Sequence, residues 1–139
     1  MNREILFRGK RKDNDEWVEG YYAKRSNYAC FASELKYNHF ILKDIMMDFN
    51  LGGLQEFEII PETVGQYTGL TDKNGNKIFE DDIIQSLETK ETAVVQWFPE
   101  HSAFMVWCKS SNEVGFLYEC TKSNIEVIGN IHDNKLEDF

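Results

Sequence analysis

A mainly β fold with minor α content is what this sequence predicts. Three observations carry that expectation. Short runs of β-branched and aromatic residues recur along the chain, as in TAVVQWF and AFMVWCK. Turn-forming residues separate them at short intervals. No alternation of strand-like and long helix-like segments appears, which argues against a parallel α/β sheet. The chain has 139 residues and is 42% hydrophobic, enough for a packed core without disulfide staples. The expected architecture is an N-terminal β-hairpin subdomain, residues 1–61, packed on a small C-terminal β-barrel, residues 62–139, that ends in a short acidic tail.

The elements follow in order. REILFRGKR and EWVEGYYAK read as two strands of a hairpin. KDNDE between them suits a turn, because Asp and Asn side chains bond nearby backbone amides. Trp17, Tyr21 and Tyr22 favour the pleated conformation. NYACFASE is a candidate third strand. ELKYNHFILKDIMMDFNLGG is ambiguous: Leu35, Phe40, Ile41, Ile45 and Phe49 fit partial helical spacing, yet HFILK also suits a strand. Gly52 and Gly53 are expected to end that element. QEFEIIPET reads as a strand stopped near Pro61.

Beyond Pro61, TVGQYTG is expected to be extended. Asn74-Gly75 in TDKNGNK is a tight-hairpin signal, both residues accepting positive φ. IFEDDIIQSLE, TAVVQWF and AFMVWCK follow as strands, with PEHS a turn and SSNEVG a loop. FLYECTKSN reads as a short strand or a helical turn. IEVIGNI is the last strand before a polar tail.

Charge narrows the function classes. The formal net charge of -9 opposes long-range attraction to nucleic acid. Arg8, Lys10, Arg11 and Lys12 are the exception, read first as a solvated hairpin arm and second as a possible nucleic-acid contact. The three cysteines, Cys30, Cys108 and Cys120, are odd in number and widely spaced, unlike a disulfide framework. The opening residues lack an apolar signal-peptide core, and no run approaches the roughly 20 apolar residues of a membrane span. A cytoplasmic protein with reduced thiols and no membrane association is expected.

The glycine- and acid-rich stretch VGQYTGLTDKNGNKIFEDDII has the raw materials of a phosphate or metal site, and each specific chemistry fails on spacing. A phosphate loop needs Gly-Lys-Ser/Thr before a helix, and Gly75 is followed by Asn76. An EF-hand register starting at Asp72 alternates well through Asn74 and Asn76, then meets Lys77 where glycine is required and Ile83 where glutamate is required. Glu80, Asp81 and Asp82 on a strand would alternate faces, so the stretch reads as a solvated turn before an acidic strand start. His39, His101 and His132 lie far apart and near no cysteine pair, unlike a zinc site. No GxSxG elbow is present, and Cys108 after AFMVW reads as a buried small hydrophobe. Trp97, Phe98, Phe104 and Trp107 are candidates for base stacking, but their surroundings are not basic, so a core or subunit interface suits them better. No catalytic residue, cofactor or metal is expected.

The same stretch resembles the signature of the YopX family of bacteriophage and prophage proteins. The match runs through Gly65, Gln66, Tyr67, Thr68, Gly69 and Leu70, then Asp72, Lys73, Asn74, Gly75, Lys77, Ile78, Phe79, Glu80, Asp82 and Ile83. It departs at Asp81, where that family usually has glycine. FRGKRKDNDEWVEGYY and IEVIGNIHDN resemble the family's opening and closing strands, while residues from about 27 to 57 are not covered by the resemblance, which implies a variable insert there. The resemblance implies a small phage-encoded protein, mostly β, with an SH3-like barrel in its C-terminal part and no assigned biochemical role. A non-enzymatic binding or assembly module follows as the expected function, self-associating or binding a phage or host protein. A nucleic-acid-associated module using Arg8 to Lys12 is the second expectation, and a cryptic, metal-dependent enzyme the third.

Overall fold

The structure is a computed structural model that describes residues 2–27, 36–46 and 52–139. The chain divides into two compact units, one Glu4–Gln66 and one holding Tyr67–Phe139. Every named strand pairing is antiparallel.

In the first unit, β1 (Phe7–Lys10) pairs with β2 (Trp17–Asn27), β2 with β3 (Lys36–Met46), and β3 with β4 (Gly52–Glu58). The turn between β1 and β2 closes through Arg11 N–H to Glu16 O, and the Asn14 side chain accepts from Glu16 N–H. Asp15 takes φ 58° there, a conformation Asp tolerates better than most residues. The described part of the ambiguous segment before Gly52, Lys36–Met46, is strand β3. Its apolar residue Ile41 stands opposite Phe57 and beside Tyr22, so pairing on both edges decides the conformation. Gly52 and Gly53 do not end an element; they begin β4, opposite Met46 and Ile45. Leu35 and Phe49, like Cys30 and the rest of NYACFASE after Asn27, lie outside the described residues.

One face of this sheet carries the core. Val18, Ile41 and Ile59 are buried, with Phe7, Tyr22, Phe57 and Val64 packed around them. Ile41 and Ile59 are fully buried, each worth about 1.5–3 kcal/mol of transfer free energy. Gly9 lies against Ile59, and a Cβ there would meet the Ile59 side chain at 2.7 Å. A 3-10 turn at Pro61–Thr63 follows, in which Thr63 Oγ1 accepts from Lys10 N–H and donates to Ile60 O.

β5 (Gly65–Thr71) begins beside β1 and continues into the second unit, where it pairs with β6 (Lys77–Phe79). The register slips between Tyr67 and Thr71, and Gly69 takes φ 86° inside that slip. Thr68 Oγ1 bridges the irregularity, donating to Ile78 O at 2.8 Å and accepting from Leu70 N–H. β7 (Asp82–Ser86), β8 (Thr92–Phe98), β9 (Ala103–Cys108), β10 (Glu113–Phe116) and β11 (Ile125–Asn130) form a five-stranded sheet in the order β10-β9-β8-β7-β11. PEHS includes a 3-10 turn at Pro99–His101, with Ser102 at φ 47°. The second half of SSNEVG is strand, not loop, since β10 pairs with β9 from Glu113 to Phe116. α1 (Leu117–Cys120) settles FLYECTKSN as a helical turn.

The core of this unit gathers Ile78, Ile84, Val95, Val106, Leu117 and Ile125. Ile84, Val95, Val106 and Ile125 share one face of the sheet by their registers, and Leu117 comes from α1. β10 and β11 are edges of this sheet, so the expected small barrel is not a closed one among the described strands.

Candidate functional site

The signature stretch folds as a hydrogen-bonded polar network centred on Asp72. This carboxylate is only 6% exposed. Its Oδ1 accepts from Asn74 N–H and Asn76 N–H, both at 2.9 Å. Its Oδ2 accepts from Val127 N–H at 3.0 Å and from the Asn76 amide at 3.3 Å. Burial pushes its pKa up, but the hydrogen bonds from Val127, Asn76 and Asn74 outweigh burial and hold it below the usual carboxylate value. The β5–β6 turn is thereby tied to β11, and Lys73 N–H to Ile125 O adds a second tie. The Asp72, Asn74, Asn76 alternation is thus a local turn whose amides face an anion, the opposite of a calcium loop, where oxygens face a cation. Of Asn74-Gly75, only Gly75 takes positive φ, at 80°. Asp72 holds the turn, so the mirror-image hairpin turn is not used.

Glu80 and Asp81 form a turn, not a strand. Asp82 opens β7 at 1% exposure, and its Oδ2 accepts from Phe79 N–H at 2.7 Å. Asp81 takes φ 70°, and its Oδ2 lies 2.9 Å from His132 Nε2. Its backbone donates to Val95 O and accepts from Ile131 N–H. The expected solvated acidic turn is therefore corrected: Asp72 and Asp82 are buried, and the turn is anchored from both sides. Tyr67 and Phe79 pack at 5.7 Å between ring centres, with Lys77 over the Tyr67 ring. Asp72 was recoverable from the D-x-N-x-N spacing, which marks Asx turns as well as calcium loops.

The four basic residues separate by role. Arg8 and Lys10 lie on one face of β1, over the Trp17 ring at 4.7 and 5.8 Å. Arg11 stacks over Phe57 and pairs with Asp13 at 2.6 Å, while Lys12 pairs with Glu58 at 3.3 Å. Arg25 likewise pairs with Glu56 and stacks over Phe40. The histidines do not converge: His39 Nδ1 meets the Tyr22 hydroxyl, His101 packs against Phe116, and His132 meets Asp81. Among the described residues no group of three or more His, Cys, Asp or Glu is arranged to hold a metal ion.

Trp97 and Phe104 stand opposite each other on β8 and β9, edge to face with 5.1 Å between centres. Trp107 donates from its indole to Asn112 Oδ1. The most exposed apolar surface of this unit lies at the β10 edge and α1: Val114 is 45%, Phe116 48% and Tyr118 61% exposed. Sequence reasoning missed it because SSNE masks so short a strand. No helix among the described residues is long and apolar enough to cross a membrane.

A comparison with curated proteins gave no match. The family described as YopX protein matches residues 6–137, nearly the whole chain, including both units and the Asp72 network. The chain belongs to the YopX family.

Proposed function

We propose that this chain is a non-enzymatic binding or assembly module that self-associates through β10, encoded by a phage or prophage and acting in the cytoplasm of a bacterial host. The open five-stranded sheet with β5 and β6 is the counterpart of the SH3-like barrel that the family resemblance implies. The observation that carries the reading is the exposed edge at β10, with Val114 and Phe116 on one face and Gly115 between them. A copy of this strand, paired antiparallel about Gly115, sets each Val114 opposite the other copy's Phe116. Aromatic and β-branched residues are favourable cross-strand partners. The pattern is self-complementary, as a two-fold interface requires. An exposed sheet edge presents unpaired N–H and C=O groups to another chain, and β10 carries neither lysine nor proline.

Sedimentation velocity tests it. The natural chain should sediment as a dimer, and a Val114→Lys, Phe116→Lys double variant as a folded monomer. A natural chain that stays monomeric at high concentration, or a variant that stays dimeric, overturns the reading. The nucleic-acid reading has less support, because acids neutralise Arg11 and Lys12.

A further inference from the structure

Cys108 and Cys120 are both free thiols and both line one cavity of about 130 Å³ in the second unit. Ile84, Ala93, Val106 and Ile125 make its walls apolar, and Glu91 also lines it. That volume exceeds the ~30 Å³ share of one water in the liquid, so a small neutral solute fits. The two thiols are chemically unlike. Cys108 Sγ lies 3.4 Å from Ser110 Oγ, and contacts with Ser110 and Ser111 draw its pKa below that of an ordinary thiol. Burial pushes Cys120 up, and the neighbouring Cys108 and Glu119 charges push it further. Ser110 in turn bonds Glu91 Oε1 at 3.2 Å.

We propose that Cys108 and Cys120 form a dithiol site that takes up small neutral peroxides and closes to an intramolecular disulfide. The Cys108 thiolate attacks one peroxide oxygen, the O–O bond breaks, and the leaving alkoxide or hydroxide takes a proton. Cys108 is then a sulfenic acid. The Cys120 sulfur attacks that sulfur, a disulfide forms, and the hydroxyl leaves with the Cys120 proton as water. Two thiols are oxidised by two electrons, and one peroxide is reduced to an alcohol, or water, plus water. Cys108 is the attacking residue because the thiolate is the nucleophile, and Cys120 is the resolving one. The Glu91 carboxylate selects neutral over anionic reagents.

Peptide mapping after stoichiometric hydrogen peroxide tests the assignment on the full chain. Trypsin cuts at Lys109, between the two cysteines, so the disulfide links peptides 91–109 and 110–122. That link should dominate, and Cys120→Ser should instead leave Cys108 as a dimedone-trapped sulfenic acid. Iodoacetamide should label Cys108 several-fold faster than iodoacetate, with Glu91→Gln closing the gap. Unreacted thiols, a link to Cys30 in place of Cys120, or Cys108 oxidation that proceeds to sulfinic acid while Cys120 stays reduced would overturn the proposal. So would equal labelling by the two reagents.

Discussion

Asp81, at φ 70°, reaches His132 Nε2 with its Oδ2 at 2.9 Å. The residue sits where a glycine would be free of steric cost. Its backbone bonds to Val95 and Ile131 pin that geometry, so the side chain has to accept the left-handed conformation. The contact to His132 is partly exposed and offsets only part of the strain. Asp81→Gly should therefore unfold at about the same denaturant concentration as the natural chain or higher. Asp81→Ala, which keeps the strain and loses the contact, should be about 1 kcal/mol less stable than Asp81→Gly. Urea unfolding of the two variants decides it; an alanine variant as stable as the glycine variant contradicts the account.

Asp72 makes stability depend on acid. Its folded pKa is depressed, so the ionised carboxylate adds stability above the unfolded value, about 4, and that contribution fades as pH falls through the folded value. Asp72→Asn removes the charge and replaces one oxygen with a donor facing amide donors. The variant should lose about 2–3 kcal/mol near neutral pH, the range for charge-assisted bonds and stranded buried donors. The gap between variant and natural chain should narrow as pH falls below about 4. Urea melts across that range measure both; a constant gap would show that Asp72 is not depressed in the folded state.

Strands with a continuous run of β-branched and aromatic residues were legible in the sequence. TAVVQWF and AFMVWCK alternate between two faces and became β8 and β9. HFILK was not, because its apolar residues fit both periods and only pairing with β2 and β4 settles them. β10 escaped because four residues carry too little pattern. The signature stretch showed its turn but not its burial: spacing gives the local geometry of Asp72, whereas the Val127 amide that completes its shell lies far along the chain. Cys108, expected to be buried, is only half so, because the Ser110–Asn112 turn follows it at the sheet end. That position leaves its sulfur within reach of Ser110.

Gly129 should resist substitution while Gly115 should not. A Cβ on Gly129 would fall inside contact distance of Asn134 Oδ1 and lie 3.4 Å from the Phe139 ring. Asn134 is held there by Asn130, whose amide N–H donates to Asn134 Oδ1 and whose C=O accepts from Asn134 N–H. At Gly115 the nearest atom is Val106 Cγ2 at 3.9 Å, ordinary contact. Gly129→Ala should cost about 1–3 kcal/mol, the usual range for overpacking. Gly115→Ala should be neutral or stabilising by up to about 1 kcal/mol. Adding Asn134→Ala should recover part of the Gly129→Ala loss, a non-additivity that a double-mutant cycle in urea would measure.

The basic arm should bind nucleic acid weakly or not at all. Arg11 and Lys12 already hold Asp13 and Glu58, and the whole chain carries a net charge of -9. Each new phosphate contact would have to displace an acid or leave it beside a phosphate. Fluorescence anisotropy with a labelled single-stranded oligonucleotide should show no binding at about 0.15 M salt, where the screening length is about 8 Å. At low salt, any residual signal should depend on Arg8 and Lys10, which flank the Trp17 ring, and vanish in an Arg8→Glu, Lys10→Glu variant. Tight binding at about 0.15 M salt that falls linearly with log salt would instead favour nucleic-acid recognition over self-association as the work of this fold.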